Sequence, residues 1–156
     1  MDITITRPGA LTIHATKILQ EITHNAMIGK PIDPANPENG KQVFLPVRLV
    51  WDTGAMNSII PEALVSRLGL QGQESGVIKL KFADIAKDYK TYMISLKIPG
   101  STIEIDGIAA AAADSIDNEM LLGMDVIALG DFAVTNEDGK TCFSFAVPSS
   151  TSITFS

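Results

Sequence analysis

Residues 42–51, "QVFLPVRLVW", are mostly apolar and rich in β-branched and aromatic side chains, which predicts a strand running into a core, with Pro46 marking an edge or a bend. Upstream, "DITIT" and "LTIHAT" alternate apolar with polar positions around Pro8-Gly9, as half-buried strands do on either side of a turn. Between these regions, "IGKPIDPANPENGK" carries Pro31, Pro34 and Pro37 among Asp33, Asn36 and Asn39, a composition that predicts an exposed loop. The period then changes from two to that of a helix. In "PEALVSRLGL", Pro61 suits a first turn where its missing N–H costs nothing, Glu62 suits the positive end, Gly69 suits the far cap, and Ala63, Leu64, Arg67 and Leu68 give one mostly apolar face.

Alternation returns in "GVIKLKFADIAKDYKTYMISLKI", which predicts two long strands, 76–83 and 89–98, around a polar turn at 84–88. "STIEIDGIAAAAAD" continues as strand broken near Gly107, and its alanine run does not decide between strand and helix. "MLLGMDVIAL" sets an apolar run against Gly123 and predicts a short helical turn ending near Gly130. Asp138-Gly139 in "FAVTNEDGKTCFSFAV" is a strong hairpin signal, and "STSITFS" reads as one more strand. There is no internal repeat.

At 156 residues the chain is the size of one domain. With 46% apolar and 19% charged residues, it can bury a core and does not resemble disorder. The net charge of -6 and a pI of about 4.8 argue against nucleic acid or an anionic membrane as partner, since both require clustered positive charge, and Arg7, Arg48 and Arg67 are scattered. A single cysteine, Cys142, excludes an internal disulfide framework and points to a reducing compartment; in "KTCFSFAV" it reads as a small core hydrophobe. No segment approaches about 18 uninterrupted apolar residues, and the start lacks the pattern of a signal peptide, so the expected location is cytoplasmic.

Candidate chemistry is concentrated in "LVWDTGAMNSIIP", residues 49–61, where an apolar run delivers a carboxylate, Asp52, directly into Thr53 and Gly54. A plain turn accounts for Asp-Thr-Gly alone. The buried strand predicted before it and the apolar return after it make the acid look aimed. His14 and His24 lie ten apart without a cysteine cluster or paired carboxylates, so no metal site and no cofactor are expected. Neither a phosphate-binding loop nor a nucleophile elbow is present, and Asp114, Asp117 and Asp131 read as solvated turn or cap residues.

"VWDTGAMNSIIP", a short helix, a long hairpin and then "MLLGMDVI" together resemble the retropepsin-like aspartic peptidases over residues 42–147, leaving about the first forty to be explained. The resemblance implies a mostly β fold, a closed acid-protease barrel with one short helix, carrying half of a two-fold symmetric active site. It divides the chain into residues 1–40, N-terminal strands and a Pro-rich loop that read as a dimer arm or pro-segment, and a peptidase domain at 41–156. Hydrolysis of a peptide by water needs one carboxylate to take a proton and a protonated one to give it. Two carboxyls held about 3 Å apart share a proton, and aspartic proteases are the familiar instance of such a pair. Only one Asp-Thr-Gly occurs, so the resemblance implies a homodimer with one catalytic Asp52 from each chain, acting on a peptide or protein substrate.

By the same resemblance, Thr53 hydrogen-bonds across the dimer axis, Gly54 brings a backbone N–H to the carboxylate, and Ala55 matches the retropepsin preference. Leu121 and Leu122 pack beneath the loop while Gly123 lets it pass; ordinary core packing explains the two leucines equally well. The hairpin corresponds to the substrate-covering flap, with Asp84, Ile85, Ala86, Lys87, Asp88 and Tyr89 at its tip, which lacks the glycines common in the family. Tyr89 and Tyr92 read as an ordinary cross-strand pair. The rival expectation is a retropepsin-like domain used for protein binding or assembly without hydrolysis, and the plainest is a β-domain with no active site.

Overall fold

Among the described residues, the chain's alternating segments form eleven strands. In order they are β1 (Thr4–Arg7), β2 (Gly9–His14), β3 (Thr23–Gly29), β4 (Phe44–Trp51), β5 (Ile59–Pro61), β6 (Gly76–Phe82), β7 (Ile85–Lys97), β8 (Glu104–Ala113), β9 (Glu119–Leu122), β10 (Asp131–Thr135) and β11 (Cys142–Val147). Helix α1 (Glu62–Arg67) follows β5, and the single turn α2 (Met124–Ile127) follows β9. The structure, a computed structural model, describes residues 2–31, 35, 42–114 and 118–156. Most of the proline-rich loop, and Asp117, lie outside these residues.

Six strands close into a barrel in the order β8-β5-β9-β4-β3-β7, with β7 pairing back to β8; β1 and β6 extend it, and β10-β11-β2 form a separate small sheet. Strand β4, the stave leading to Asp52, pairs antiparallel with β3 and parallel with β9. The strands of residues 1–40 are woven in: β1 pairs with β8, β2 with β11, and β3 with both β4 and β7. Inside, Ile28, Leu49, Ile60, Leu64, Ile94, Leu96, Ile108, Phe143 and Phe145 are fully buried, each stabilising the fold by about 1.5–3 kcal/mol. Among the described residues, no helix is long and apolar enough to cross a membrane.

The helix expected at 61–70 forms, with Pro61 just before its first residue and Gly69 at φ +72 beyond its end. The alanine run becomes strand because β7 lies along one edge of β8 and β5 along the other, and Ala110, Ala111 and Ala113 are buried there. Instead of a break at Gly107 there is a bulge. Asp106 and Gly107 fall where the β7 register shifts between Ile94 and Leu96, and Gly107 sits at φ +76 with its α-carbon facing the Asp2 carbonyl, where a Cβ would approach to 2.7 Å.

Two expectations are corrected. The hairpin turn is Ala83-Asp84 alone, and residues 85–88 belong to β7, with Phe82 opposite Ile85. Its alternating charges mimic a turn because both faces of the hairpin tip meet water. The tail "STSITFS" forms no strand within the protomer, since no strand edge among the described residues pairs with it. Its start is tied down by Asp131, whose carboxylate accepts hydrogen bonds from the Ser149 hydroxyl and the N–H groups of Ser150 (2.8 Å) and Thr151 (2.9 Å). Those bonds, the Ser149 hydroxyl first, hold the Asp131 carboxyl below its ordinary range.

Candidate active site

Asp52 is the first residue beyond β4, and the sheet itself aims it. Trp51 pairs with Leu122 of β9, and the Asp52 N–H donates to the Leu122 carbonyl at 2.9 Å. The chain then reverses: Ala55 N–H donates to the Asp52 carbonyl (3.2 Å) and Gly54 N–H to its Oδ1 (2.9 Å). Asp52 as a residue is half-buried, while Thr53 and Gly54 are exposed. This places Asp52, Thr53, Gly54 and Ala55 in one tight loop on the surface of the barrel.

A second loop braces the first from below. Met124 N–H donates to the Ala55 carbonyl (2.7 Å) and Asp125 N–H to the Met56 carbonyl (3.2 Å), so the Gly123 segment runs against the underside of the Asp52 loop. The fit leaves no room at Gly123, where a Cβ would stand 2.8 Å from the Ala55 carbonyl oxygen and 2.9 Å from the Asn57 carbonyl. Leu122 is fully buried in the main core, and Leu121 packs with Ile59, Ala111 and Ala113 in a smaller cluster.

The side chains that lock the two loops together lie outside the Asp-Thr-Gly and Leu-Leu-Gly motifs. Ser58, fully buried, donates its hydroxyl to Asp125 Oδ1 (2.8 Å) and its N–H to Asp125 Oδ2 (2.9 Å), and its hydroxyl accepts from Gly123 N–H (3.2 Å). Asp125 also accepts from Val126 N–H at 3.0 Å in the first turn of α2. An acid two residues beyond Leu-Leu-Gly was the available signal, since carboxylates favour a helix start. Its partner, 67 positions away, was not readable locally.

The β6–β7 hairpin covers the small cluster: Ile78, Leu80 and Tyr89 pack on Ile59, Ala111, Ala113 and Leu121. Tyr92 faces the other way, buried in the main core, so Tyr89 and Tyr92 are not a pair; residues three apart on a strand take opposite faces. Further out, Asp84, Ile85, Ala86, Lys87 and Asp88 are exposed, and Asp88 meets Lys79 at 3.9 Å. A cleft of about 540 Å³ lies at the hairpin base, walled by Val77 and Ile78 of β6, Met93 of β7, Ala109 of β8 and the N-terminal Ile3, with Asn57 and Asp125 also lining it; none of Asp52, Thr53, Gly54 and Ala55 lines it.

At the tip, Ala83 adopts φ +54, a conformation that costs an L-residue about 1–2 kcal/mol. Ala83→Gly is expected to relieve it, slowing amide exchange along β6 and β7 about two- to fivefold once the larger entropy of glycine in the open hairpin is allowed for. Faster exchange in the variant would show that the tip is unstrained.

The family described as "gag-polyprotein putative aspartyl protease" matches residues 39–128, more than half of the chain and the whole span from the loop before β4 to α2. A search of curated proteins finds no match. Among solved structures, a retropepsin-like aspartic protease from Rickettsia conorii superposes with a TM-score of 0.53 at 14% identity, covering 90% of this chain and 95% of that one. At that identity the likeness speaks for the fold, and the fold is the closed acid-protease barrel. A braced Asp-Thr-Gly loop on such a barrel, inside a segment that matches the family, means that this chain belongs to the retropepsin-like aspartic peptidases.

Proposed function

We propose that the protein is an aspartic endopeptidase active as a homodimer, with one Asp52 from each chain. The observation that carries this reading is the Asp52 carboxylate, held on a doubly braced loop at the surface and bonded to Gly54 N–H, in a chain with one Asp-Thr-Gly. One such carboxylate serves as base or as acid, but not as both in the same step. A two-fold axis beside the loop supplies the second.

In the dimer the paired Asp52 carboxyls share one proton. The ionised one takes a proton from water as the water oxygen bonds to the peptide carbonyl carbon, and the protonated one gives its proton to the carbonyl oxygen; the first then passes its proton to the leaving nitrogen as the C–N bond breaks, and the second takes a proton back from the diol. Thr53 links the two loops across the axis, Gly54 fixes the carboxylate plane, and Ala55, Leu121, Leu122 and Gly123 hold the loop against the barrel. The hairpin tip from Asp84 to Tyr89 closes over the peptide and excludes water. Exposed Met56, 79% accessible, stands beside the loop on the face that a second protomer would cover. Residues 41–156 form the peptidase domain in this reading, with residues 1–40 contributing strands to its sheets.

The test is digestion of an unstructured protein such as casein from pH 3 to 7, with sedimentation of the same samples. Cleavage per chain is expected to rise with protein concentration as dimer forms and to be highest on the acid side of neutrality. Cleavage by a species that sediments as a monomer would overturn the shared site. A folded dimer that cleaves nothing would favour the binding or assembly role.

A further inference from the structure

Immediately before Asp52, the Trp51 side chain turns inward, 6% exposed, among Phe132, Phe143 and Phe145 with ring centroids 5.9, 5.0 and 4.7 Å away. An indole has one polar atom, an N–H that only donates. Here Trp51 Nε1–H donates to His24 Nε2 at 2.8 Å. The other ring nitrogen of His24, Nδ1, lies 2.9 Å from the Asn25 carbonyl, which only accepts. The two contacts select one form of the ring: neutral imidazole with its proton on Nδ1 and a free lone pair on Nε2.

His24 stands opposite Leu49 in the β3–β4 ladder, on the face that also carries buried Ala26 and Ile28. The Trp51 backbone N–H is bonded to Ile22 O at 3.0 Å in the same crossing, so the start of β3 and the residue before it grip the last residue of β4 by both main chain and side chain. Resting on the peptidase reading above, we infer that neutral His24 is a positioning residue for Asp52: by accepting the only polar hydrogen of the Trp51 side chain it sets the end of β4 from which the carboxylate projects.

Protonation of Nε2 turns the acceptor into a donor and sets N–H against N–H. The indole then has no partner within its aromatic surroundings, and an unmet buried donor is costly. Charged groups around the pair are engaged elsewhere or exposed. Arg48 of β4 bonds Thr23 and pairs with Glu119 of β9; Asp131 of β10 holds the tail; Glu21 and Lys17 in the β2–β3 connection are exposed; on the small sheet, His14 is exposed and Cys142 half-buried. Among the described residues none forms an ion pair with His24. In keeping with this, burial lowers the His24 pKa from the ordinary 6.5, opposed by the Asn25 carbonyl. The unfolded chain therefore gains a proton near pH 6.5 that the folded one refuses until lower pH, so the contribution of His24 is present above 6.5 and is lost as pH falls through the folded value.

The chain has one tryptophan and hence one indole N–H resonance. Between pH 4 and 8, that resonance is expected to move with a midpoint below 6.5, and the backbone amides of Asp52 and Thr53 should show a step at the same midpoint beside any that comes from the Asp52 carboxyls. His24→Gln keeps an acceptor near the Nε2 position without titrating, so the common step should vanish. The acid limb of the cleavage profile should also shift to lower pH, leaving this variant about two- to tenfold more active than the native chain below the midpoint, the range a single hydrogen bond spans. His24→Ala, with no acceptor, should lose activity at every pH. Asp52 and Thr53 amides that ignore the indole step, or an acid limb unmoved by His24→Gln, would overturn the inference. Should the glutamine variant not fold, the native titration alone decides. A native chain that shows the coupled step and cleaves nothing would defeat the peptidase reading and leave the His24–Trp51–Asp52 coupling intact.

Discussion

Asp52→Asn should reduce cleavage of an unfolded protein by at least about a hundredfold, and by as much as about ten-thousandfold, while leaving the protein folded and dimeric. The lower figure is what one general acid or base contributes, and here the same substitution removes both. Asparagine has the shape of aspartate, and its Oδ1 still accepts from Gly54 N–H, the 2.9 Å bond that closes the loop. What it cannot do is gain or lose a proton. Mixing gives a sharper result than the variant alone. If equal amounts of native and Asp52→Asn chains exchange freely, about one quarter of dimers contain two aspartates, and activity should fall to that level rather than to one half. A mixture retaining half its activity would mean that each chain works alone, and the shared dyad would be wrong.

Gly123→Ala should be the most damaging single methyl near the site. Its Cβ would meet the Ala55 carbonyl oxygen at 2.8 Å and the Asn57 carbonyl at 2.9 Å, and both neighbours are backbone with no rotamer to give. The clash must be relieved by lifting the Asp52 loop off its support, lengthening the Met124–Ala55 and Gly123–Ser58 hydrogen bonds. Overpacking of this kind costs about 1–3 kcal/mol, which for a domain of this size lowers Tm by roughly 3–10 °C. Because the displaced element carries the carboxylate, kcat should drop more than about tenfold even well below the new Tm, misplacements of about 1 Å being costly in catalysis. Thermal unfolding and kinetics on the same sample check both. A variant with lowered Tm and native kcat would show that the Gly123 contact supports the barrel and not the active-site geometry.

Elements governed by neighbours in sequence were legible. Pro61, Glu62 and Gly69 mark α1 because helix ends are satisfied locally, and Asp138-Gly139 marks the last hairpin because both residues adopt positive φ there (54° and 72°). The hairpin tip misled because Lys87 and Asp88 on a two-sided exposed ribbon carry no hydrophobic period to distinguish strand from turn. The alanine run stayed ambiguous because methyl side chains pack equally well in either element until β5 and β7 are known to flank it. The Asp52 loop was recognisable since its parts, Asp-Thr-Gly-Ala, are contiguous. Its support was not, because Ser58 and Asp125 are 67 residues apart and His24 and Trp51 are 27 apart.

By itself, then, the order of residues determined the local devices: a strand that ends on a carboxylate, the turn that follows it, the helix caps, and a single Asp-Thr-Gly. Tertiary structure alone decided which strands close the barrel, that Gly123 lies under Ala55 and Asn57, that a buried serine meets Asp125, and that the indole before Asp52 is held by a neutral histidine. The physical reason is range. Backbone dihedrals and capping act within a few residues, whereas burial and hydrogen bonding act between whatever the fold brings together, and those partners exist only once the barrel has closed.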